Sequence, residues 1–501
     1  MRRSAVRIRA PAPRRSRDPA VLRGGLSFAA SGLRPQRRGG CMADSPLMVS
    51  VSGIRGIVGD SLHPEAIVRY SAAYATWCRR RGAAVGASVV VGRDGRPSGR
   101  MVLDLVKGVL GAAGLETVDI GVCTTPGTAM AVGAQGAAGG IVITASHNPA
   151  PWNALKFLDA AGDFLAPALG EEVLAIEAAG DFHWEDHARL GGFRRWPDAN
   201  RHHIAAILAL PLVAREAVAA RGFTVAVDAV NASGSAALPP LLEALGARCL
   251  LLHCDGSGIF PHNPEPTPAH LGELAAAVRA GGAALGLAVD PDSDRLVLVD
   301  ADGRVLSEEY TLALAADYVL GRTPGPVAVN LSTSRLIDDV AARHGQVCHR
   351  SPVGEAHVVA AMRAAGAVIG GEGNGGVILP ALHAGRDGLV GAALVLSALA
   401  TSGRSLAALA DALPAYRMEK RRLELAAKVE PARLVALAER HFAGAELDRR
   451  DGVKASYPEG WLHVRASNTE AILRLIGEAA DGAWLRARLD AAEAHFRTAL
   501  A

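Results

Sequence analysis

The 501-residue sequence is poor in aromatic side chains, in lysine and in paired cysteines. Aromatic residues make up 4% of the chain, although half of its residues are hydrophobic and glycine and alanine are abundant. The six cysteines are scattered without a CxxC pair, a pattern that argues against a thiolate metal site and favours a reducing compartment. No apolar run reaches about 18 residues without a charge, so we expect a cytoplasmic protein with no membrane partner.

The charge of the chain is unevenly distributed. Arginine outnumbers lysine 48 to 5, a ratio that indicates a GC-rich genome rather than a nucleic-acid surface, so no nucleic-acid partner is expected. Residues 1–41 contain eleven arginines and one acid, Asp18, and the remainder carries a net charge of −7. This segment is interpreted as a disordered basic arm, either a transit peptide or a nucleic-acid-binding arm, or as a mis-assigned start. We favour the last interpretation, with Met42 as the alternative start.

Strands alternate with helices along most of the chain, which predicts an α/β protein with parallel or mixed sheets. We place three α/β domains at 46–195, 196–300 and 301–414, and a smaller α+β domain at 422–501, with a charged linker over 415–424. The first three domains share a rhythm of strand, Gly/Ser-rich loop and helix. That rhythm indicates a repeated architecture, although no sequence repeat of fixed period is present.

The loop Thr144–Pro149 follows Gly139–Ile143, a short β-branched run that predicts a buried strand. Ligands of open α/β sheets bind outside the carboxyl ends of the strands. The hydroxyl of Ser146, with Lys156 able to fold back over it, suits a phosphoryl carrier. The alternative is that Ser146 or Asn148 only caps a turn.

Three carboxylates, Asp290, Asp292 and Asp294, follow the predicted strand 284–289. Carboxylate oxygens suit a hard cation such as Mg²⁺, and three acids this close would repel one another unless something neutralised them. An EF-hand is excluded because its required glycine and glutamate are replaced by Arg295 and Ala301. Two alternatives remain: a phosphotransferase with Asp290 as nucleophile, and a solvated acidic turn.

Two further loops carry groups that suit a sugar phosphate. In Gly371–Gly376, four glycines let the backbone approach a ligand, and two polar side chains can bind vicinal sugar hydroxyls. A second loop and the strand after it combine two arginines, two hydroxyls and an amide, which resemble an anion cradle. Either loop alone is equally consistent with a turn, but together with the other clusters they imply a phosphorylated polyol held between four domains. The residues concerned are Glu372, Asn374, Arg465, Ser467, Asn468, Thr469 and Arg474.

These four motifs, in this order, resemble the α-D-phosphohexomutase family from about Val49 to Glu478. Arg55, Arg93-Asp94, His262–Pro266 and Val353–Glu355 also look like family elements. The resemblance implies three similar mixed α/β domains plus a smaller C-terminal α+β domain, with the active site in the central cleft.

The resemblance also implies a mechanism. Ser146 carries a phosphoryl group, and Mg²⁺ is held by the three aspartates and a phosphoserine oxygen. Transfer to a hexose monophosphate gives a 1,6-bisphosphate, which reorients and also serves as activator. The expected catalytic residues are Ser146, Lys156, Arg55, His147 and Arg295, and the two further loops bind the substrate.

One motif departs from the family. The loop Gly371–Gly376, which we call the sugar loop, reads Glu-x-Ser-Gly-His from its second residue in many members. In this chain Gly376 stands in place of that histidine. His383 is either a replacement for the missing histidine or a surface histidine. The loop is similar to a branch usually assigned as phosphoglucosamine mutases, so we expect an enzyme that interconverts glucosamine 6- and 1-phosphates. We also expect a monomer or homodimer. The alternatives are glucose or mannose phosphate with the same mechanism, an aspartyl-phosphate phosphatase, and a non-catalytic binding protein.

Overall fold

The computed structural model describes residues 47–50, 53–467 and 471–500, which form four β-sheets that follow one another along the chain. Residues 1–41, for which the sequence predicts a basic arm, lie outside this described part. Within it, no helix combines the length and the apolar character needed to span a bilayer.

The first sheet is centred on the strand Gly139–Ile143, whose five residues are all buried. Its glycines are needed for close packing, because a Cβ at Gly139 would lie 2.1 Å from the hydroxyl of Tyr74. In the sheet the strands are ordered β1-β2-β6-β5-β3-β4-β7. This unit consists of β1 (Met48–Ser50), β2 (Gly53–Ile57), α1 (Pro64–Arg80), β3 (Ser88–Arg93), α2 (Gly99–Ala112), β4 (Glu116–Val122), α3 (Thr125–Ala134), β5 (Gly139–Ile143), β6 (Trp152–Leu158), α4 (Pro167–Ala179) and β7 (Phe193–Arg195).

The second unit contains a four-stranded sheet, ordered β11-β10-β8-β9. Its two central strands, β8 and β10, pair in parallel, and their apolar residues are buried because helices cover the sheet. The elements are α5 (Ala199–Leu208), α6 (Arg215–Arg221), β8 (Thr224–Asp228), α7 (Leu238–Ala244), β9 (Arg248–Leu252), α8 (Gly272–Ala280), β10 (Leu285–Val289) and β11 (Leu296–Asp300).

The third unit also contains a four-stranded sheet, ordered β13-β12-β14-β15, and shares one continuous hydrophobic core with the second. Its helix α12 is buried almost all round and packs against both α9 and α6. The elements are α9 (Glu309–Leu320), β12 (Val327–Asn330), α10 (Leu336–Arg343), β13 (Cys348–Ser351), α11 (Glu355–Ala365), β14 (Ile369–Glu372), β15 (Gly376–Ile378), α12 (Gly388–Ser402) and α13 (Leu406–Ala410).

These three units share one sheet topology. In each unit four consecutive strands are ordered 2-1-3-4, with the first three parallel and the fourth antiparallel to the third. The repeated architecture inferred from the sequence is therefore confirmed. The hairpin connection between the third and fourth strands holds Ser146 in the first unit, the three aspartates in the second and Asn374 in the third.

The fourth unit is a smaller α+β domain with a five-stranded antiparallel sheet, ordered β16-β20-β19-β18-β17. Its two helices close the core on the apolar side of the sheet. The elements are β16 (Arg417–Glu424), α14 (Pro431–His441), β17 (Glu446–Asp448), β18 (Val453–Ser456), β19 (Gly460–Ala466), β20 (Ile472–Ala479) and α15 (Gly482–Leu500).

The charged linker predicted over 415–424 is wrong, because Arg417–Glu424 forms an eight-residue edge strand along β20. Leu423 is its one fully buried residue, so the strand lacks the apolar pattern that reveals strands in a sequence. Charged side chains are common on edge strands, where they oppose pairing with other chains.

Buried hydrogen bonds join the fourth sheet to the third unit. Lys454 Nζ donates to the carbonyl oxygen of Leu331 at 2.7 Å, and His463 Nδ1 lies 2.8 Å from Ser332 Oγ. Burial lowers the pKa of Lys454 to about 7 and that of His463 to about 4. This contact is therefore held mainly by hydrogen bonds between groups that carry little charge above neutral pH.

Candidate active site

Ser146 lies in the first of the three equivalent hairpins, with a left-handed backbone conformation (φ 49°). Its side chain is buried, and its Oγ donates to Asp290 Oδ2 at 2.8 Å. Its backbone N–H donates to Thr144 Oγ1 at 2.9 Å. The predicted phosphoryl carrier, Ser146, is thus in direct contact with the loop Asp290–Arg295, which we call the metal loop. Ser146 and Asp290 are 144 residues apart in sequence.

Arg96 is a buried arginine that the sequence analysis missed, and it stabilises the loop that carries Ser146. Its guanidinium donates to the carbonyl oxygens of Ser146, Asn148 and Pro149, and its Nε donates to Asp94 Oδ2 at 2.9 Å. Several carbonyls of one loop converge on a single cation, which fixes the loop more firmly than any one hydrogen bond would.

The three aspartates of the second hairpin converge as predicted. One oxygen from each of Asp290, Asp292 and Asp294 lies within 4.8 Å of the others, and all three side chains are buried. Asp292 Oδ1 and Asp294 Oδ1 have no hydrogen-bond partner among the described residues. Burial and then the charges of the other two aspartates raise the pKa of Asp290 well above its ordinary value. Unpartnered buried oxygens and mutual repulsion fit a site for a divalent cation.

Asp292 is also held by two groups from the first unit. Lys156 Nζ and Thr125 Oγ1 each donate to Asp292 Oδ2 at 2.7 Å. Burial alone would raise the pKa of Asp292, but the Lys156 ammonium and these hydrogen bonds keep it below the usual range. Lys156, a predicted catalytic residue, is therefore in direct contact with the aspartate cluster. Thr125 is a further site residue, which the sequence analysis missed because it begins a helix on a distant segment.

The other predicted catalytic residues gather around Ser146. Arg55 Nη1 donates to Asn148 Oδ1 at 2.6 Å, and His147 Nδ1 lies 3.3 Å from Ser146 Oγ. The positive charge of Arg295, and then burial, lower the pKa of His147 well below its ordinary value. The imidazole is therefore neutral at neutral pH and lies beside the serine hydroxyl.

Arg295 is the last residue of the metal loop, and its charge acts on this histidine. Its Nε is 3.8 Å from Asp294 Oδ1, which makes an ion pair too long for a hydrogen bond. Its side chain is largely buried. A buried guanidinium with donors left over can bind a phosphate oxygen at this edge of the site.

The sugar loop of the third unit is built on Glu372, which is buried and ionised. Its Oε1 accepts from Asn330 Nδ2 at 2.8 Å and from the backbone N–H of Gly354 at 3.1 Å, and Asn374 Nδ2 lies 3.5 Å from Oε2. Burial would raise the pKa of Glu372, but the charge of Arg386 and the hydrogen bond from Asn330 lower it. The two predicted sugar-binding side chains are thus adjacent.

Arg386 connects this loop to the metal loop, and the sequence analysis did not include it among the site residues. Its guanidinium reaches three carboxylates: Asp294 Oδ2 at 2.6 Å, Glu355 Oε2 at 2.9 Å and Glu372 Oε2 at 3.1 Å. Their charges raise the pKa of Arg386, against the opposing effect of burial. Gly385–Gly388 is glycine-punctuated, which is the one local signal that could have indicated a loop of this kind.

His383 lies on the same segment but is directed towards a different group. Its Nε2 is 3.3 Å from Asp387 Oδ2, and Asp387 also pairs with His203 Nε2 at 2.7 Å. The side chain of His383 is 13% exposed, so the surface-histidine interpretation is wrong. Replacement of the missing loop histidine by His383 stays a prediction.

The predicted phosphate-binding loop, Arg465–Thr469, begins at the end of β19. Arg465 and Arg474 are directly opposite on β19 and β20, so their side chains lie on one face of the sheet. Arg465 Nε is 3.1 Å from Asp451 Oδ2, which also accepts from the backbone N–H of Val353 at 3.0 Å. The backbone N–H of Ser467 donates to the carbonyl oxygen of Ile472. Asn468 and Thr469 lie outside the described residues.

A buried glutamate beneath the sugar loop gives a testable pH dependence. Glu309 Oε2 accepts from the backbone N–H of Ser334, and burial raises the pKa of Glu309 to about 8. From about pH 4.5 to 8 the folded state keeps a proton that the unfolded state releases, so wild-type stability falls as pH rises. Glu309→Gln should therefore stabilise the protein by on the order of 1–3 kcal/mol at pH 8 and by little at pH 4.

Urea denaturation midpoints at pH 4, 6 and 8 measure this difference. The matched control is Glu65→Gln, since Glu65 is exposed on α1 and its replacement should have a small effect that does not vary with pH. A stabilisation by Glu309→Gln that is the same at every pH would contradict the assignment of the buried proton to Glu309.

Four family models match the chain in order. They are described as phosphoglucomutase/phosphomannomutase alpha/beta/alpha domain I (residues 47–183), domain II (201–303), domain III (307–416) and the C-terminal domain (418–495). Together they span nearly all of the described residues.

Individual relatives agree with this match. A phosphoglucomutase/phosphomannomutase of Thermococcus kodakarensis is 38% identical over 435 residues, which cover 85% of this chain and 93% of that protein. A phosphoglucosamine mutase of Delftia acidovorans is 34% identical, with 86% and 94% covered. The crystal structure of a phosphoglucomutase/phosphomannomutase family protein from Burkholderia thailandensis has a TM-score of 0.78 at 28% identity, with 90% and 98% covered. The chain therefore belongs to the phosphoglucomutase/phosphomannomutase family, the α-D-phosphohexomutases, and is a mutase that moves phosphoryl groups on sugar phosphates.

Proposed function

We propose that the enzyme is a phosphoglucosamine mutase, which interconverts glucosamine 6-phosphate and glucosamine 1-phosphate through phosphorylated Ser146 and a 1,6-bisphosphate. The observation that carries the proposal is the contact between Ser146 Oγ and the aspartate cluster, with the ionised Glu372 tied to that cluster through Arg386. The proposal assigns Ser146 as the phosphoryl carrier, the three aspartates as the cation site and Glu372 as the sugar-binding carboxylate.

The resident cation of this proposal is Mg²⁺, held by Asp290, Asp292, Asp294 and an oxygen of phosphorylated Ser146. The unpartnered buried oxygens of Asp292 and Asp294 support this assignment, and all-oxygen ligation suits Mg²⁺. When bound, Mg²⁺ would neutralise charge on the transferring phosphoryl group. A sugar 1,6-bisphosphate would keep Ser146 phosphorylated and so act as activator.

The side chains around Ser146 supply the remaining chemistry. The phosphoryl group leaves Ser146 Oγ for a sugar hydroxyl oxygen, and the hydroxyl proton passes to a nearby base while the serine oxygen is reprotonated. Lys156 and His147 are the candidate proton carriers, because both lie beside the serine–aspartate contact. Arg55 and Arg295 would hold phosphate oxygens during the transfer.

Glucosamine is the substrate we favour because the loop Gly371–Gly376 has a form similar to that of a branch usually assigned as phosphoglucosamine mutases, and because the Delftia acidovorans relative carries that name. In this proposal Glu372 pairs with the amino group of the sugar. Glucosamine phosphate offers an ammonium group at carbon 2, where glucose and mannose phosphates offer a neutral hydroxyl. A buried carboxylate pairs more strongly with an ammonium than with a hydroxyl, and such charged hydrogen bonds are roughly twice as strong as neutral ones. The second candidate, a phosphoglucomutase/phosphomannomutase, is favoured by the name of the Thermococcus kodakarensis relative.

A coupled assay of the purified protein with Mg²⁺ and catalytic sugar 1,6-bisphosphate separates the two candidates. We expect kcat/KM for glucosamine phosphate to exceed that for glucose or mannose phosphate at least about tenfold. Glu372→Gln should lower kcat/KM for glucosamine phosphate more than for glucose phosphate, because only the former loses a charge pair. Comparable turnover of all three sugars by the wild type would favour the second candidate. On either account the partner is a small hexose phosphate in the cytoplasm.

A further inference from the structure

The position of Gly376 has no room for a side chain, because Arg386 fills the space. A Cβ built at Gly376 would lie 2.3 Å from Arg386 Cδ and 2.9 Å from its Cγ. The backbone is not the reason for the glycine, since Gly376 is not among the residues with positive φ and begins the regular strand β15. The arginine side chain, rather than the chain conformation, therefore requires glycine here.

The guanidinium of Arg386 meets carboxylates from three different segments. Asp294 belongs to the metal loop, Glu355 begins α11 and Glu372 belongs to the sugar loop. The three carboxylates would repel one another without the arginine, because burial weakens the screening of their charges. The planar fork of arginine holds several carboxylates in fixed directions, which the point charge of lysine does not.

Arg386 is itself held in place through the next residue. Asp387 Oδ1 accepts from the backbone N–H groups of Leu389 and Val390 and caps α12. Asp387 Oδ2 pairs with His203 on α5 of the second unit. The backbone N–H of Arg386 also donates to Glu355 Oε1 at 3.0 Å. Hydrogen bonds thus fix the backbone from which the Arg386 side chain extends to the metal loop and the sugar loop.

We propose that Arg386 is a positioning residue that fixes the sugar-binding carboxylate of Glu372 relative to the metal-loop carboxylate of Asp294. Because Gly376 has no side chain, it leaves the space that the Arg386 side chain occupies. Arg386 and any side chain at position 376 therefore exclude one another. This inference rests on the proposed function, because it assigns Glu372 the sugar. It adds that the distance between the sugar and the reacting phosphoryl group is set by one buried arginine.

A double-mutant cycle on kcat/KM tests the pairing. Gly376→Ala should lower kcat/KM by about 10- to 100-fold, because its methyl group displaces Arg386 and misplaces Glu372. In the Arg386→Ala background the same change should have an effect smaller than about threefold, since the tightest remaining contact of the new methyl group is with Asn374 Oδ1 at 3.1 Å. Equal losses in both backgrounds would overturn the proposal and assign Gly376 a backbone role.

A second measurement separates positioning from mere stabilisation. Arg386→Lys keeps the charge but not the fork, so it should fold, lower kcat and reduce the ratio of glucosamine to glucose turnover. The matched control is Arg304→Ala, which removes an arginine that pairs with Asp300 and Asp411 away from the site. This control should change the thermal midpoint and leave the sugar ratio unchanged. An Arg386→Lys enzyme with wild-type kcat and sugar ratio would contradict the proposal even if it were less stable.

The two proposals can fail separately. If the wild type prefers glucose phosphate, the cycle is measured with that sugar, and the non-additivity between positions 376 and 386 is still expected. If the wild type prefers glucosamine phosphate but the two losses add, the substrate assignment stands and the positioning role of Arg386 is refuted.

Discussion

Ser146→Ala is expected to abolish mutase turnover, with a loss on the order of 10⁴- to 10⁶-fold, because it removes the atom that carries the phosphoryl group. The fold should survive, since the change removes only the hydrogen bonds of Ser146 Oγ to Asp290 and His147, at a cost of about 1 kcal/mol each. The Arg96 contacts to the loop use backbone carbonyls, which alanine keeps. Steady-state rates and circular dichroism of the purified variant measure the two effects.

Mass spectrometry provides the direct readout for this variant. After incubation with a sugar 1,6-bisphosphate, the wild type should gain one phosphoryl group and Ser146→Ala none. Ser71→Ala is the matched control, because Ser71 is a buried serine of the same unit whose hydroxyl has no hydrogen-bond partner. Retained mutase activity in Ser146→Ala would refute the phosphoserine mechanism and return attention to Asp290 as phosphoryl acceptor.

The sequence predicted the parts of the fold that local patterns determine. The strand Gly139–Ile143 has its predicted bounds because a β-branched run between glycines and a polar loop is a strong local signal. The shared rhythm of the first three units corresponds to one repeated sheet topology. Since the same hairpin recurs in each unit, the loops predicted to do chemistry occupy equivalent places.

The edge strand Arg417–Glu424 was missed because its pairing, and not its own residues, makes it a strand. Its charged residues are exposed or half-buried, and Leu423 alone is fully buried. Strand propensity reflects packing against neighbours, so a strand that lies along one partner at a sheet edge leaves a weak signal in its own sequence.

The missed site residues act across long sequence distances. Thr125 is 167 residues from Asp292, and Arg386 is 92 residues from Asp294. The sequence identifies side chains capable of chemistry, but only the arrangement of the units shows which partners hold them. Arg96 is the clearest case, because its targets are backbone carbonyls, which every sequence contains.

Asp290→Asn is expected to separate activity from stability. It replaces a carboxylate of the cation site with a neutral amide of the same shape, so turnover should fall on the order of 10²- to 10³-fold or more. The hydrogen bond from Ser146 can be kept by the amide oxygen, and the Lys156–Asp292 and Arg386–Asp294 pairs are untouched. Without Mg²⁺ the variant should be as stable as the wild type or more so, because one of three mutually repelling buried acids is gone.

Thermal midpoints with and without Mg²⁺ measure this separation. The wild-type midpoint should rise with Mg²⁺, because a cation that binds the folded state stabilises it, and the Asp290→Asn midpoint should rise less or not at all. Asp300→Asn is the matched control, at the opposite end of the β10–β11 hairpin. Asp300 accepts hydrogen bonds from the backbone N–H groups of Asp302 and Arg304 and from the guanidinium of Arg304. That control should lose stability and keep both activity and the Mg²⁺ response. A wild-type Mg²⁺ response in Asp290→Asn would remove Asp290 from the cation site and leave Asp292 and Asp294 as its only protein carboxylates.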